Sequence, residues 1–307
     1  MKKFVVLICL CFVSCFNAKA SLSPWHVEDS IIVGTQPLAI FSLNPDQQDP
    51  LDAYIVYCGG RDLNFNGVQD PGDEAPSLWL AGIIHFLGEE VHAESQKLAD
   101  LNIGFSDYPF RPAISGNEMY ISSNGKITKV TIDDSFGSYS VRTDSICLSE
   151  AVAVSKLQDL LFLSEKNDFT SPGWVRVFRL GVGFIDSIPA GVNVQQVLQI
   201  ENKLYILSEG VFGASESTIL VVDCAEDDFN VVDTIHLGVS GSNHMAIGDN
   251  ALIVTNNLTN DVAVVDLTNN SIARRISLPA DASPRESAIL VSSCLVSTFS
   301  GKVYQLN

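Results

Sequence analysis

The stretch that decides the fold is residues 251–279, ALIVTNNLTNDVAVVDLTNNSIARRISLP. It contains three short runs rich in β-branched residues, separated by turns of Asn, Asp and Thr. β-Branched side chains suit a pleated strand, whereas Asn and Asp suit tight turns. A fourth apolar run, HMAIG, precedes the stretch at residues 244–248. The stretch therefore predicts one antiparallel sheet of four strands.

The same pattern recurs along the chain, with the triplet Asp-Ser/Thr-Ile near the end of each unit. Intact copies begin at Asp29, Asp144, Asp186 and Asp233, and degenerate copies begin at Asp100 and Arg275. Later copies are 42 to 47 residues apart, whereas the first two are 71 apart, which indicates an insertion in the first unit. Helical periodicity is absent, and four strands in a unit of this length are typical of a β-propeller blade. We predict an all-β, six-bladed β-propeller, with seven blades as the alternative.

The two ends of the chain are predicted to complete one blade together. The last unit is too short for a fourth strand, and the N-terminal segment WHVEDSIIVG (25–34) has the pattern of one. Because an open ring leaves unpaired sheet edges, we expect this N-terminal strand to complete the last blade and close the ring. Residues 21–307 are thus expected to form a single β-propeller domain.

Residues 1–20 are predicted to be a secretory signal peptide. Lys2 and Lys3 precede a short apolar run, and Ala18-Lys19-Ala20 has the small-residue pattern of a cleavage site. A lipoprotein anchored at Cys15 is the alternative. No later stretch is long and apolar enough for a transmembrane helix. We therefore expect an exported protein, periplasmic or extracellular.

Charge and cysteine content restrict the partners further. The formal net charge is −18, which disfavours binding to nucleic acid or anionic lipid. The four cysteines after residue 20 lie singly in or beside apolar strands, so two disulfides and buried thiols are both compatible with the sequence: Cys58, Cys147, Cys224 and Cys294. We expect a monomer that contains no organic cofactor.

Residues 252–279 also resemble the YVTN-type repeat, which is found in bacterial exported propellers related to the YncE family. The resemblance is good over 192–307, fainter over 105–191 and weakest over 21–104. It implies a bacterial, exported β-propeller. The repeat carries no catalytic residues, so the resemblance implies a binding role rather than a defined reaction.

The insertion in the first unit contains a pattern of calcium ligands between residues 60 and 76. Residues 62–73, DLNFNGVQDPGD, match the spacing of a twelve-residue calcium loop, with Gly67 at the sharp turn. Asp73 replaces the usual final Glu, and Pro71 prevents a regular helix, so the stretch resembles dockerin loops more than a full EF-hand. A solvated polar turn is the alternative. The expected calcium ligands are Asp62, Asn64, Asn66, the Val68 carbonyl, Asp70 and Asp73.

A second candidate site is the channel face, where first strands begin. This face is expected to carry the ligand-binding candidates Arg111, Glu150, Gln195, His244, Arg285 and Glu286. Two long loops, 165–174 and 209–218, are expected to rise from the same face, and Phe169 and Phe212 in them are candidates for ligand contact. Trp79 and Trp174 begin third strands, which predicts that both are buried between blades.

Two functions remain open on the sequence alone, and binding is favoured. A rigid exported scaffold with long loops suits a binding or scaffold protein for a protein or glycan, including a docking component of an envelope assembly. The alternative is a propeller enzyme of the lactonase or lyase type that uses Glu150, Asn193, Asn243 and His244. No Gly-x-Ser-x-Gly or His-x-His motif supports catalysis, so we name no catalytic residue.

The calcium loop predicts a calcium-dependent thermal stability. We expect calcium to raise the melting temperature of residues 21–307, and excess EDTA to lower it, because the ion binds only the folded loop. An Asp62→Ala, Asp70→Ala double variant is expected to melt at the same temperature with and without calcium. If millimolar calcium also leaves the melting temperature of the unsubstituted protein unchanged, the stretch is a polar turn.

Overall fold

The computed structural model of the protein describes residues 37–41, 51–63, 70–86, 89–101, 103, 112–123, 126–135, 138–147, 151–165, 169–225, 228–290, 293–299 and 302–306. Within these ranges the regular structure is β-strand, and no α-helix occurs. No helix in these ranges is therefore long and apolar enough to cross a membrane. The predicted signal peptide and the N-terminal strand that was expected to complete the last blade lie outside the described residues.

The described strands form six antiparallel sheets, which are the blades of a six-bladed β-propeller, as predicted. Blade 1 contains β1 (Pro37–Phe41), β2 (Leu51–Cys58), β3 (Ser77–Phe86) and β4 (Glu89–Asp100). Blade 2 contains β5 (Ala113–Ser115), β6 (Glu118–Ser123), β7 (Lys126–Ser135) and β8 (Ser138–Cys147). Blade 3 contains β9 (Ala151–Leu157), β10 (Leu160–Glu165), β11 (Pro172–Arg179) and β12 (Gly183–Val192).

The remaining three blades follow the same order. Blade 4 contains β13 (Val194–Ile200), β14 (Lys203–Ser208), β15 (Thr218–Asp223) and β16 (Asn230–His236). Blade 5 contains β17 (Ser242–Gly248), β18 (Ala251–Asn256), β19 (Asp261–Asp266) and β20 (Ser271–Ser277). Blade 6 has three described strands, β21 (Pro284–Leu290), β22 (Ser293–Thr298) and β23 (Val303–Leu306). The long first repeat, which contains the insertion, forms one sheet, so the seven-bladed alternative is wrong for the described chain.

The chain divides into two compact units, which are described separately. The first contains blade 1 with residues 116–118 and 130–144 of blade 2. The second contains blades 3–6 and the remaining strand residues of blade 2. Cys58 in the first unit, and Cys224 and Cys294 in the second, are buried thiols. The side chain of Cys147 lies outside the described part of the chain.

In the second unit, strand β14 is apolar on both faces because blade 4 packs against blade 3 on one side and blade 5 on the other. In β14, Leu204 and Ile206 pack in a cluster with Phe162 of blade 3. The alternate residues, Tyr205 and Leu207, pack in another cluster with side chains of blade 5. This double burial explains why the central strands read as continuous apolar runs rather than as apolar–polar alternation.

The turns that punctuate these runs need backbone conformations that Asn tolerates. Asn250, Asn260 and Asn270 have φ values of 51°, 53° and 51°. This left-handed region is costly for β-branched residues and much less so for Asn. These three Asn residues, which lie in or just before the stretch that predicted the fold, are therefore explained by the turns at which they lie.

Adjacent first strands are joined by side chains that bond to the backbone of the next blade. The buried Gln196 side chain of β13 accepts a hydrogen bond from the Met245 N–H of β17 at 2.6 Å. Its amide nitrogen donates to the Met245 carbonyl at 3.1 Å. At the equivalent position one blade later, His244 Nδ1 of β17 accepts a hydrogen bond from the Ser287 N–H of β21 at 3.0 Å. Each link satisfies backbone groups that are buried away from water.

The Gln196 link predicts a specific loss of stability. We expect Gln196→Ala to lower the free energy of unfolding by about 1–3 kcal/mol, because the Met245 N–H and carbonyl lose their buried partner. Gln199→Ala, in the same strand, is the control. The Gln199 amide bonds at an exposed position to the Glu201 carbonyl, so its loss is expected to cost less than about 0.5 kcal/mol. Equal losses in urea denaturation would contradict the role assigned to Gln196.

Candidate functional site

In the second unit, the loops between second and third strands lie beside the segments that enter the first strands. The Gly210 N–H donates to the Val192 carbonyl at 3.0 Å, and the Asn257 N–H donates to the Gly241 carbonyl at 2.9 Å. The Phe299 N–H likewise donates to the Ser283 carbonyl at 3.0 Å. These connections lie at one end of their sheets, as the sequence predicted. We call their described residues, 169–171, 209–217, 257–260 and 299, the upper loops.

Each upper loop carries a large apolar side chain that is exposed to solvent. Between 41% and 62% of the side-chain surface of these four residues is exposed: Phe169, Phe212, Leu258 and Phe299. The Phe299 ring lies 5.3 Å from the Arg285 guanidinium, within the range of a cation–π contact. Exposed aromatic side chains that recur at one end of a unit are typical of a binding surface rather than of a core.

Loop 209–217 is held in place from within. Gly210 has a φ of 81°, and a Cβ at this position would lie 2.6 Å from the Glu216 carbonyl oxygen, so only glycine fits. The Val211 N–H donates to Ser215 Oγ at 2.7 Å, and Ser217 Oγ donates to the Glu209 carbonyl at 2.6 Å. Phe212 is therefore presented by a loop with an ordered backbone.

The same loop is also bonded to the entry of blade 5. The Gly213 N–H donates to Ser240 Oγ at 2.9 Å, and the Ser242 N–H donates to Ser217 Oγ at 3.1 Å. Glu216 Oε1 lies 2.7 Å from His236 Nδ1. These contacts restrict the loop before any ligand binds, which lowers the entropy cost of binding.

A nearly buried carboxylate lies at the base of this loop. Glu209 follows β14 directly and only 7% of its surface is exposed. Its Oε2 accepts hydrogen bonds from Asn193 Nδ2 at 2.5 Å and from Gln195 Nε2 at 3.2 Å. Burial raises the pKa of Glu209 to about 7, because the charged form loses hydration. The carboxyl therefore changes its charge near neutral pH.

Local backbone structure fixes this arrangement. The Glu209 N–H donates to the Asn193 carbonyl at 2.9 Å, which places the end of β14 beside the entry of β13. Asn193 has a φ of 56°, a conformation that Asn adopts at low cost. Both amides therefore reach the carboxylate from the neighbouring strand.

The structure places the predicted channel-face residues in different surroundings. Gln195 lies beside Glu209, as described above. Arg285 and Glu286 are half-buried in β21, with Arg285 Nε 3.7 Å from Glu286 Oε1. His244 is buried, and its Nδ1 accepts the Ser287 N–H, so this ring nitrogen contributes to blade packing. The two other candidates, Arg111 and Glu150, lie outside the described residues.

Glu209 was not among the residues predicted from the sequence to bind a ligand, although it lies in the predicted long loop 209–218. The available signal was a lone acid directly after the apolar run LYILS (204–208), next to a glycine. An acid at the end of a buried strand is commonly solvated. Its burial here depends on the loop folding back, which local sequence does not reveal.

The prediction that Trp174 is buried is wrong. In β11, Val175 and Val177 are buried, so the strand's period of two places Trp174 and Arg176 on its other face. Trp174 is exposed there, and its ring lies 5.8 Å from the Arg176 guanidinium. Trp79 in the first unit is half-buried, and its Nε1 donates to Ser77 Oγ at 3.0 Å.

The candidate calcium loop belongs to the first unit and connects β2 with β3, as predicted. Its base is closed by Arg61 and Glu74, whose backbones exchange hydrogen bonds at 2.7 and 3.0 Å. Asp73 accepts the Leu63 N–H at one carboxylate oxygen and the Asp70 N–H at the other, at 2.9 and 2.8 Å. Three of the expected ligands lie outside the described residues: Asn64, Asn66 and Val68.

Comparisons with known proteins support the fold alone. No family model matches the chain, and no curated protein matches it. A functionally unknown protein from Desulfotomaculum acetoxidans is similar in structure, with 13% identity, a TM-score of 0.50 and 75% coverage of each chain. BamB from Moraxella catarrhalis is similar at 12% identity and a TM-score of 0.46, over 92% of this chain and 75% of that chain. The resemblance to the YVTN repeat stays a prediction.

The raised pKa of Glu209 predicts a pH-dependent stability. The folded carboxyl keeps its proton up to about pH 7, whereas the unfolded carboxyl loses it near 4.5. Unfolding therefore releases a proton in this window, and the free energy of unfolding falls as pH rises, by about 3 kcal/mol at most. Glu209→Gln is expected to remove this fall, whereas Glu216→Gln is expected to retain it. If urea denaturation gives the same fall of the free energy of unfolding with pH in all three proteins, the assignment of this fall to Glu209 is contradicted.

Proposed function

We propose that this protein is an exported binding or scaffold protein whose ligand, a protein or a glycan, contacts the upper loops. The observation that carries the proposal is the exposed apolar side chain on each of the four upper loops. Binding energy in interfaces is concentrated in a few such residues, and aromatic residues are prominent among them. Export is supported by the sequence of residues 1–20.

The rigidity of loop 209–217 supports the same proposal. Its backbone is hydrogen-bonded within the loop and to the entry of blade 5, so Phe212 does not lose much freedom when a ligand binds. A rigid scaffold with ordered aromatic contacts suits recognition of a partner surface.

We further propose a structural calcium ion in the loop of the first unit. Its support is the ligand spacing of residues 62–73 and the closed base, where the Asp73 carboxylate draws Leu63 and Asp70 together. Carboxylate and amide oxygens are the ligands that calcium prefers. The ion would neutralise these acids and stabilise the insertion.

Substitution of Phe212 tests the binding proposal. The immobilised protein is expected to retain a partner from an extract of the cells that produce it. The Phe212→Ala variant is expected to retain at least about tenfold less of that partner. A tenfold loss corresponds to about 1.4 kcal/mol, which is ordinary for an interface aromatic residue.

The matched control is Val182→Ala. Val182 is 71% exposed but lies in the turn between β11 and β12, at the other end of the sheet from the upper loops. This variant is expected to retain the partner at the level of the unsubstituted protein. Identical sets of retained proteins for all three baits, compared by mass spectrometry, would show that the upper loops are not the binding surface.

A further inference from the structure

We propose that Glu209 binds a cationic side chain, the guanidinium of an arginine or the ammonium of a lysine, on a protein ligand. The inference deepens the proposed function, because it names the chemistry that the upper loops recognise, and it rests on that function. Three observations support it: the hydrogen-bond acceptors around Glu209, its lack of a charged partner among the described residues, and its place in the same loop as Phe212.

The first observation is a surplus of hydrogen-bond acceptors. Glu209 Oε2 is occupied by the two amide nitrogens, whereas Glu209 Oε1 accepts no hydrogen bond from the described part of the chain. The side-chain oxygens of Asn193 and Gln195 also accept none from these residues. The cluster thus offers three acceptor atoms, whereas each amide group already donates one N–H to Glu209 Oε2. A group with several N–H donors complements it.

The second observation concerns charge. The contacts of Glu209 within the described chain are to neutral amides, and no Lys or Arg of that part forms an ion pair with it. The other carboxylate of the loop, Glu216, bonds instead to His236 and to the Gly238 N–H. A nearly buried carboxylate without a cation is costly to ionise, so a ligand cation would stabilise the charged form.

The third observation is position. Glu209 and Phe212 lie three residues apart in one ordered loop, so a polypeptide that contacts both needs a basic residue close to an apolar one. A polypeptide supplies these two side chains together, whereas a neutral glycan supplies no cation. A calcium ion fits less well, because the cluster supplies one carboxylate oxygen and two neutral amide oxygens, whereas calcium takes about 6–8 oxygen ligands and binds more tightly when several of them are charged.

The test is a titration with a matched pair of small probes. Acetyl-arginine amide is added to the ¹⁵N-labelled mature chain at pH 8 and at pH 5.5, and the amide signals of Gly210 and Gly213 are followed by NMR. Acetyl-citrulline amide, which has nearly the same shape and no charge, is the control probe. We expect the arginine probe to bind about thirtyfold more weakly at pH 5.5 than at pH 8. This factor is the ratio of the fractions of Glu209 that are ionised at the two pH values when its pKa is about 7.

Two variants separate recognition by Glu209 from general attraction to an acidic protein. Glu209→Gln keeps an oxygen for the amides of Asn193 and Gln195 and is expected to bind arginine at pH 8 as weakly as the unsubstituted protein does at pH 5.5. Asp249→Asn removes an exposed charge from the turn between β17 and β18, outside the upper loops, and is expected to retain the binding. Equal losses in both variants, or equal binding of citrulline, would overturn the proposal.

Two further outcomes complete the test. Displacement of arginine by millimolar calcium, with shifts of the same signals, would assign the cluster to a metal ion and overturn the proposal. If neither probe binds but Phe212→Ala still loses the captured partner, the cation assignment fails and the upper loops remain the binding surface. If Phe212→Ala also retains the partner, the proposed function fails with it.

Discussion

The contact on which the second unit depends is the face-to-face packing of neighbouring sheets. Strand β14 shows the requirement most clearly, because its successive side chains enter different clusters, with blade 3 on one face and blade 5 on the other. No face of such a strand remains for polar side chains. Chemistry that involves water is therefore confined to the ends of the strands, which is where Glu209 and the upper loops lie.

Polar side chains inside this apolar packing are retained where they bond to backbone. Gln196 and His244 occupy the same register position in consecutive first strands, and each bonds to the backbone of the following blade. The two residue types differ, but both present an acceptor to a buried N–H. The site at Glu209 uses similar amides for another purpose, since Asn193 and Gln195 bond to a side chain and hold it at the base of an upper loop.

The repeat made the fold predictable, since strand number, blade number and the position of the inserted loop follow from local patterns. The surroundings of single residues did not follow as readily. Trp174 is exposed because the phase of β11 is fixed by Val175 and Val177, and a one-residue change in phase would have buried it. Glu209 depends on contacts with residues 14 and 16 positions earlier in the chain. Propensity and spacing do not encode such contacts.

The buried thiols have a consequence for the chemistry of the protein in an oxidising compartment. Burial raises the pKa of Cys224 to about 11 and raises that of Cys294 as well. The thiolate is the species that attacks a disulfide or reacts with peroxide, and very little of it exists at neutral pH for such groups. In the folded chain both thiols therefore react slowly, and an oxidising environment would act on the unfolded chain, where both side chains are exposed.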